Sequence, residues 1–148
     1  MAAQRVLLVH DNPDCRRIYG AVLVHDGYDV TATDDGDEAL WLFARGHWTL
    51  IVTDLFARSR VDECFLRLLN RSVSAANPRP PAIVLATYAS DELRRLAADE
   101  GADAFILLPI TPSDFLAVVH DLLAPALPPY AAYRPRSSAD RPSTPLPP

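Results

Sequence analysis

The sequence predicts an α/β fold: a doubly wound, five-stranded parallel sheet with helices on both faces. Short, continuous apolar runs recur along residues 1–124, and a segment with helical spacing of apolar residues follows each run. A strand that is apolar at every position is typical of a parallel sheet, because both faces of such a sheet are buried. Repeated strand-helix units imply right-handed crossovers, which place helices on both sides of the sheet.

The first two strand-helix units have clear starts and stops. We expect strands over Arg5 to Val9 and over Tyr28 to Thr33. Asn12 can cap a first helix that begins at Pro13, where the missing N–H costs no hydrogen bond, and Gly27 ends this helix. Its apolar positions are Cys15, Ile18, Tyr19, Val22 and Leu23. The second helix follows Asp34-Asp35-Gly36-Asp37 and carries Ala39, Leu40, Leu42 and Phe43.

Three further strands and helices complete the pattern. The strands are expected over Thr49 to Thr53, Ala82 to Ala86 and Ala104 to Leu108. The helices are expected from about Asp62 to Asn70, from about Ser90 to Glu100, and from Thr111-Pro112-Ser113-Asp114 onward. The last of these starts resembles a capping box with proline at the first helical position.

Composition and charge exclude several classes of protein. The chain is 49% apolar and 22% charged, which is typical of a globular domain. A net charge of -5 is not the clustered basic surface that nucleic-acid binding needs, so we expect no direct contact with nucleic acid. The apolar run near the N-terminus is too short for a signal peptide or a membrane span, so we expect a cytoplasmic protein without membrane contact. Cys15 and Cys64 lack metal or redox spacing and are expected to be structural thiols.

The last 24 residues differ from the rest of the chain. Eight of the 14 prolines lie in residues 125–148, between serine, alanine and arginine residues. Such a segment cannot supply a packed core. We therefore expect one domain over residues 1–124 and a Pro-rich, disordered tail over 125–148. The alternative is a tail that docks to a partner through Tyr130 and Tyr133 beside Arg134 and Arg136.

Polar residues stand at the ends of the predicted strands. In a doubly wound sheet the binding crevice lies outside the carboxyl ends of the strands, and this rule selects His10, Asp11, Asp54, Ala86, Thr87 and Leu108. Asp11 and Asp54 end strands that are usually neighbours, and paired carboxylates suit Mg²⁺. An aspartate placed there can act as a nucleophile toward a phosphoryl group. The alternative is that each aspartate only begins a turn or caps a helix.

Several strings, in order, resemble the receiver domain of bacterial two-component response regulators. They are RVLLVHDNPDCRR, GYDVTATDDGDEAL, TLIVTDL, PPAIVLATYAS and EGADAFILLPITPSDF. The likeness spans residues 5 to 124 and implies a flavodoxin-like (βα)₅ fold with strand order 2-1-3-4-5. It also places Asp54 where this family accepts a phosphoryl group from a sensor histidine kinase or phosphotransfer protein, and Asp11 at a direct Mg²⁺ ligand.

The other active positions depart from the family pattern. His10 stands where receivers have a first acid; a neutral imidazole can accept a hydrogen bond from a metal-bound water, but it adds no negative charge, so we expect reduced Mg²⁺ affinity. Ala86 stands where the family has Thr or Ser. The next residue, Thr87, points to the other face of a regular strand and would reach the site only through a bulge.

The strand-five motif and the loop after Asp54 also differ. Leu108 replaces the lysine of a Lys-Pro pair, and no other lysine exists in the chain to replace it. Phe105 matches the aromatic switch position, and a buried strand residue accounts for it equally well. Arg58 and Arg60 follow Asp54 and either reach back as substitute cations or are solvated loop residues.

Two functions remain open, both without enzymatic activity. The first is a phosphoaccepting receiver that binds a downstream protein through the surface of the fourth helix, fifth strand and fifth helix. The second is a phosphorylation-independent pseudo-receiver that uses the same surface constitutively. A flavin or nucleotide binder is disfavoured because no Gly-rich phosphate loop follows the first strand, and no hydrolase motif occurs. Whether the chain forms a homodimer is left open.

Overall fold

The structure, a computed structural model, describes residues 4–57 and 63–124. The predicted tail over 125–148 lies outside the described residues, as do Arg58 and Arg60. The helices and strands described below therefore all belong to the predicted domain.

Five parallel strands form one sheet in the order β2-β1-β3-β4-β5. The strands are β1 Arg5–Val9, β2 Asp29–Thr33, β3 Leu50–Thr53, β4 Ala82–Ala86 and β5 Ala104–Leu107. The helices are α1 Pro13–His25, α2 Gly36–Ala44, α3 Phe65–Asn70, α4 Asp91–Asp99 and α5 Pro112–Leu123. The doubly wound α/β fold and its strand order are confirmed.

Two apolar clusters lie on opposite faces of the sheet. Phe43 and Phe65, from α2 and α3, are fully buried in one cluster. Tyr19 and Phe115, from α1 and α5, pack in the other with ring centroids 5.0 Å apart. Successive side chains of a strand point to opposite faces of the sheet. Each of the central strands β1, β3 and β4 therefore contributes residues to both clusters. This is why the strands are apolar throughout.

Local side-chain and backbone bonds set the helix boundaries. Four helices begin at a residue whose side chain accepts a backbone N–H of the first turn: Asn12, Asp35, Ser90 and Thr111. Helix α1 ends in a Schellman motif, in which Gly27 donates to Val24 and Tyr28 donates to Leu23. Gly27 has a φ of 97°, which glycine adopts without strain. The predicted cap at Asn12 and the predicted stop at Gly27 are confirmed, and at Thr111 the cap forms through its own hydroxyl.

Two sequence expectations were wrong in detail. Helix α3 begins at Phe65 and not near Asp62, because the N–H of Phe65 donates to the carbonyl of Leu55 and no side chain caps the helix at Cys64. Ile18 is 44% exposed although it follows the apolar spacing of α1. The helix buries a narrower face than expected, with Cys15, Tyr19 and Leu23 one turn apart.

The two cysteines are buried free thiols. Burial is the main cause that raises the pKa of both Cys15 and Cys64. A raised pKa disfavours the reactive thiolate, as expected of structural cysteines. Within the described ranges, no helix is both long enough and apolar enough to cross a membrane.

Candidate functional site

A cleft of about 190 Å³ opens at the carboxyl ends of β1, β3 and β4. Val9 pairs with Thr53 at the end of the β1–β3 ladder, so the residues after them lie side by side. Five of the six residues selected from the sequence line this cleft: His10, Asp11, Asp54, Ala86 and Thr87. The sixth, Leu108, does not.

Asp54 lies between the ends of the neighbouring strands. Its side chain is 15% exposed, and its Oδ2 accepts a hydrogen bond from the backbone N–H of Asp11 at 3.0 Å. Its Oδ1 is buried and has no hydrogen-bond partner among the described residues. Burial raises the pKa of the Asp54 carboxyl above its ordinary value of 3.8, and the N–H of Asp11 offsets part of that shift.

His10 is buried, and both of its ring nitrogens bond to the backbone. The N–H of Asn12 donates to Nδ1 at 3.2 Å, so Nδ1 carries no proton in this arrangement. The proton is therefore assigned to Nε2, which lies 2.9 Å from the carbonyl oxygen of Leu85 and donates to it. Nδ1 lies 3.8 Å from Oδ2 of Asp54, beyond hydrogen-bond distance. Neither nitrogen is free for a metal-bound water.

Arg16 holds the turn between β1 and α1 from outside. Its guanidinium donates to the carbonyl of His10 at 2.7 Å and to that of Asp11 at 3.3 Å. These bonds fix the peptide that carries the N–H donated to Asp54. Arg16 was not identified from the sequence. Its position near the start of the helix that follows β1 could have indicated that it lies close to the end of that strand.

Residues at the end of β4 line the cleft. Ala86 is the last strand residue, and its side chain is only a methyl group. Thr87 is exposed and lines the same cleft, because the chain bends after Ala86 and strand alternation no longer applies. Tyr88, which the sequence did not single out, also lines the cleft and is 69% exposed.

The two predicted switch positions near β5 do not line the cleft. Leu108 packs against the α1–α5 cluster, and its N–H donates to Ala86 at 2.8 Å. Its peptide bond to Pro109 is cis. Phe105 is partly buried in the other cluster, and the guanidinium of Arg94 lies 4.8 Å from its ring centroid.

The donor set at the cleft suits a cation held by two carboxylates. Proteins bind Mg²⁺ through one or two carboxylates, with waters and phosphate oxygens completing the shell. Asp11 and Asp54 both line the cleft and carry carboxylates, and Oδ1 of Asp54 has no hydrogen-bond partner among residues 4–57 and 63–124. Over residues 4–57 and 63–124, no group of three or more His, Cys, Asp or Glu side chains has the geometry of a metal site. Asp11 and Asp54 could therefore hold Mg²⁺ only as a pair of protein ligands, with water or phosphate oxygens completing the coordination shell.

The family follows from this fold and from a match to a family model. A model described as the response regulator receiver domain matches residues 6–120. The chain belongs to the response-regulator receiver family. Receivers are signalling modules, and this membership is consistent with a role in two-component signalling.

The relatives of this receiver include longer regulators and single-domain structures. It is 35% identical over 103 residues to a gliding motility regulatory protein of Myxococcus xanthus. The aligned stretch covers 70% of this chain and 13% of that protein. It is 31% identical over 124 residues to a probable transcriptional regulator of Porphyridium aerugineum, covering 83% of this chain and 49% of the relative. The chain thus spans less than half the length of these two relatives.

A solved CheY-like receiver from Methanospirillum hungatei has a similar fold. The two structures superpose with a TM-score of 0.71 at 25% identity. The superposition covers 82% of this chain and 94% of that one.

Proposed function

We propose that this receiver accepts a phosphoryl group on Asp54 and transmits the change through protein contacts in a phosphorelay. The observation that carries the proposal is the state of the Asp54 carboxylate at the cleft: one oxygen is bonded to Asp11 and the other is buried without a described partner. An uncompensated buried carboxylate costs stability. Such a cost is typical of a group that is kept for its reactivity.

The chemistry is the transfer of one phosphoryl group. A carboxylate oxygen of Asp54 forms a bond to phosphorus while the bond from phosphorus to the donor breaks, and the donor leaves with the bonding electron pair. The donor is the phosphohistidine of a sensor kinase or of a phosphotransfer protein, the partners with which receivers interact. The product is an aspartyl phosphate on Asp54.

Receiver domains generally bind Mg²⁺ at the phosphorylation site. In this chain Asp11 and Asp54 would hold the ion, and it would neutralise charge on the transferred oxygens. Thr87 lines the cleft next to Ala86, and we assign its hydroxyl the role of donor to a phosphoryl oxygen. With Leu108 outside the cleft and no lysine in the chain, we expect slower transfer than in receivers that keep the cation.

A second function is favoured by the same losses. Ala86 brings no hydroxyl and Leu108 brings no donor, so a pseudo-receiver that binds its partner without phosphorylation remains an alternative. In both cases we assign the downstream partner to the surface of α4, β5 and α5, where Leu107 is 46% exposed and Arg94 stacks on Phe105. A second copy of this chain, forming a homodimer, is the alternative partner. We place this activity in the cytoplasm.

The test is phosphorylation by acetyl phosphate with Mg²⁺, followed by intact-mass measurement. The variants are Asp54→Asn and, as a matched control, Asp99→Asn, whose side chain is exposed on α4. The proposal predicts one added phosphoryl group on wild type and on Asp99→Asn, and none on Asp54→Asn. No mass gain in wild type, with partner binding unchanged in Asp54→Asn, would overturn the proposal and support the pseudo-receiver.

A further inference from the structure

Two acceptor atoms at the cleft are held by consecutive backbone amides. The N–H of Asp11 donates to Oδ2 of Asp54, and the N–H of Asn12 donates to Nδ1 of His10. The carboxylate and the imidazole are thus bonded to neighbouring peptides of one turn. A change in charge or size at Asp54 that moves the first peptide also disturbs the second.

The other side of the imidazole is bonded to β4. The β3–β4 pairing ends at Thr53 and Val84, where the strands separate to form the cleft. The next carbonyl of β4, that of Leu85, accepts the Nε2–H of His10 at 2.9 Å. His10 is 4% exposed, so this bond is shielded from competition with water.

We propose that His10 is a positioning residue that links the acceptor Asp54 to the turn between β4 and α4. This proposal deepens the proposed function and rests on it for its role in signalling. The receiver family relies on a Thr or Ser hydroxyl at the end of β4, and this chain has Ala86 there. The imidazole supplies a different connection, from the turn that holds Asp54 to the carbonyl just before Ala86.

The residue type at position 10 decides whether this connection exists. A carboxylate at this position could accept the N–H of Asn12, but when ionised it has no proton to donate to Leu85. A neutral imidazole does both, because one nitrogen accepts while the other donates. The exchange of the first acid for histidine therefore removes a negative charge beside the metal position and adds a hydrogen bond to β4.

A double-mutant cycle tests this coupling without phosphorylation or metal. Asp54→Asn is combined with His10→Asn, which reaches only the Nδ1 position, or with His10→Gln, which reaches the Nε2 position and can still donate to Leu85. The reporters are the backbone amides of Ser90 and Leu93 in the first turn of α4, which do not line the cleft. The readout is the chemical-shift change that Asp54→Asn causes at these amides in ¹⁵N NMR spectra.

We expect the shift change at the two reporters to fall at least threefold in both His10→Asn and His10→Gln, because the first variant keeps only the acceptor for Asn12 and the second keeps only the donor to Leu85. The amide of Asp11, which bonds Asp54 directly, should respond to Asp54→Asn in all backgrounds. Equal reporter responses in wild type and in His10→Asn would overturn the proposal.

The tautomer gives a second test that needs no substitution. Long-range ¹⁵N NMR of wild type should show a protonated Nε2 and an acceptor Nδ1 for His10; a proton on Nδ1 would overturn the proposal even if the variants fail to fold. If Asp54 is coupled to the start of α4 through His10 but is not phosphorylated, only the proposed function is contradicted. Phosphorylation without coupling would contradict only the role of His10.

Discussion

The buried carboxylate of Asp54 should lower the stability of the folded protein near neutral pH. Its Oδ1 has no hydrogen-bond partner among the described residues. Burial raises the pKa of the Asp54 carboxyl. A raised pKa means that the folded state binds the proton more tightly than the unfolded state. The corresponding stability is present below the ordinary pKa of 3.8 and is lost as the pH rises through the raised value.

Asp54→Asn is therefore expected to raise the free energy of unfolding by about 1 kcal/mol at about pH 7, because a neutral amide costs less to bury than a charge. The difference should shrink toward about pH 4, where the carboxyl of the folded wild type is increasingly protonated. Urea denaturation at several pH values measures both effects. Asp99→Asn, at an exposed position, should change stability by less than about 0.5 kcal/mol. A variant at position 54 that is less stable than wild type near neutral pH would show that the charge is compensated.

The hydroxyl of Thr87 should matter for phosphorylation and not for folding. Thr87 is exposed and lines the cleft beside Ala86. Thr87→Val keeps the shape of the side chain and removes a hydrogen bond to a charged group, worth about 1.5 to 3 kcal/mol. We expect roughly tenfold slower phosphorylation by acetyl phosphate, measured by intact mass. Thr31→Val, on β2, is the control. An unchanged rate in Thr87→Val would exclude this hydroxyl from the transfer step.

At the scale of elements, a glycine inside α1 and the glycine that follows its C-terminal end should respond in opposite directions to substitution by alanine. Gly20 lies inside the helix, and an added Cβ would meet Leu8 at an ordinary contact distance of 3.5 Å. Gly20→Ala should stabilise the protein by about 0.5 to 1 kcal/mol, because glycine is a poor helix former. Gly27 has a positive φ in the Schellman motif, so Gly27→Ala should destabilise by about 1 kcal/mol. Thermal denaturation of both variants checks the pair; the same sign for both would contradict this account of the helix end.

The sequence predicted the elements well because their boundaries depend on local contacts. The caps at Asn12 and Thr111 and the stop at Gly27 involve residues within five positions of one another. The bond from His10 to Leu85 spans 75 residues and depends on where the β3–β4 pairing ends, which no local pattern encodes. The same limit explains Thr87, whose position follows from the bend after β4.

At the scale of the whole molecule, the sheet joins two clusters that cannot be stable separately. On β1, Leu7 and Val9 pack on one face while Val6 and Leu8 pack on the other. Loss of either cluster exposes one face of the same central strand. Residues 4–124 are therefore expected to unfold in a single transition, as small domains commonly do.

The ten elements within residues 4–57 and 63–124 form the whole sheet and most of both apolar clusters, and we predict that residues 125–148 add little to the stability of this fold. A chain that ends at Ala124 should have the same free energy of unfolding as the full chain within about 0.5 kcal/mol, and the same phosphorylation of Asp54. Urea denaturation and intact-mass measurement of the two chains provide the comparison. A chain ending at Asp121 is the matched control, because it removes Leu122 and Leu123 from the cluster between α1 and α5 and should lose stability. If the chain ending at Ala124 loses more than about 1 kcal/mol, residues 125–148 must pack against the domain, since solvated residues contribute no such burial.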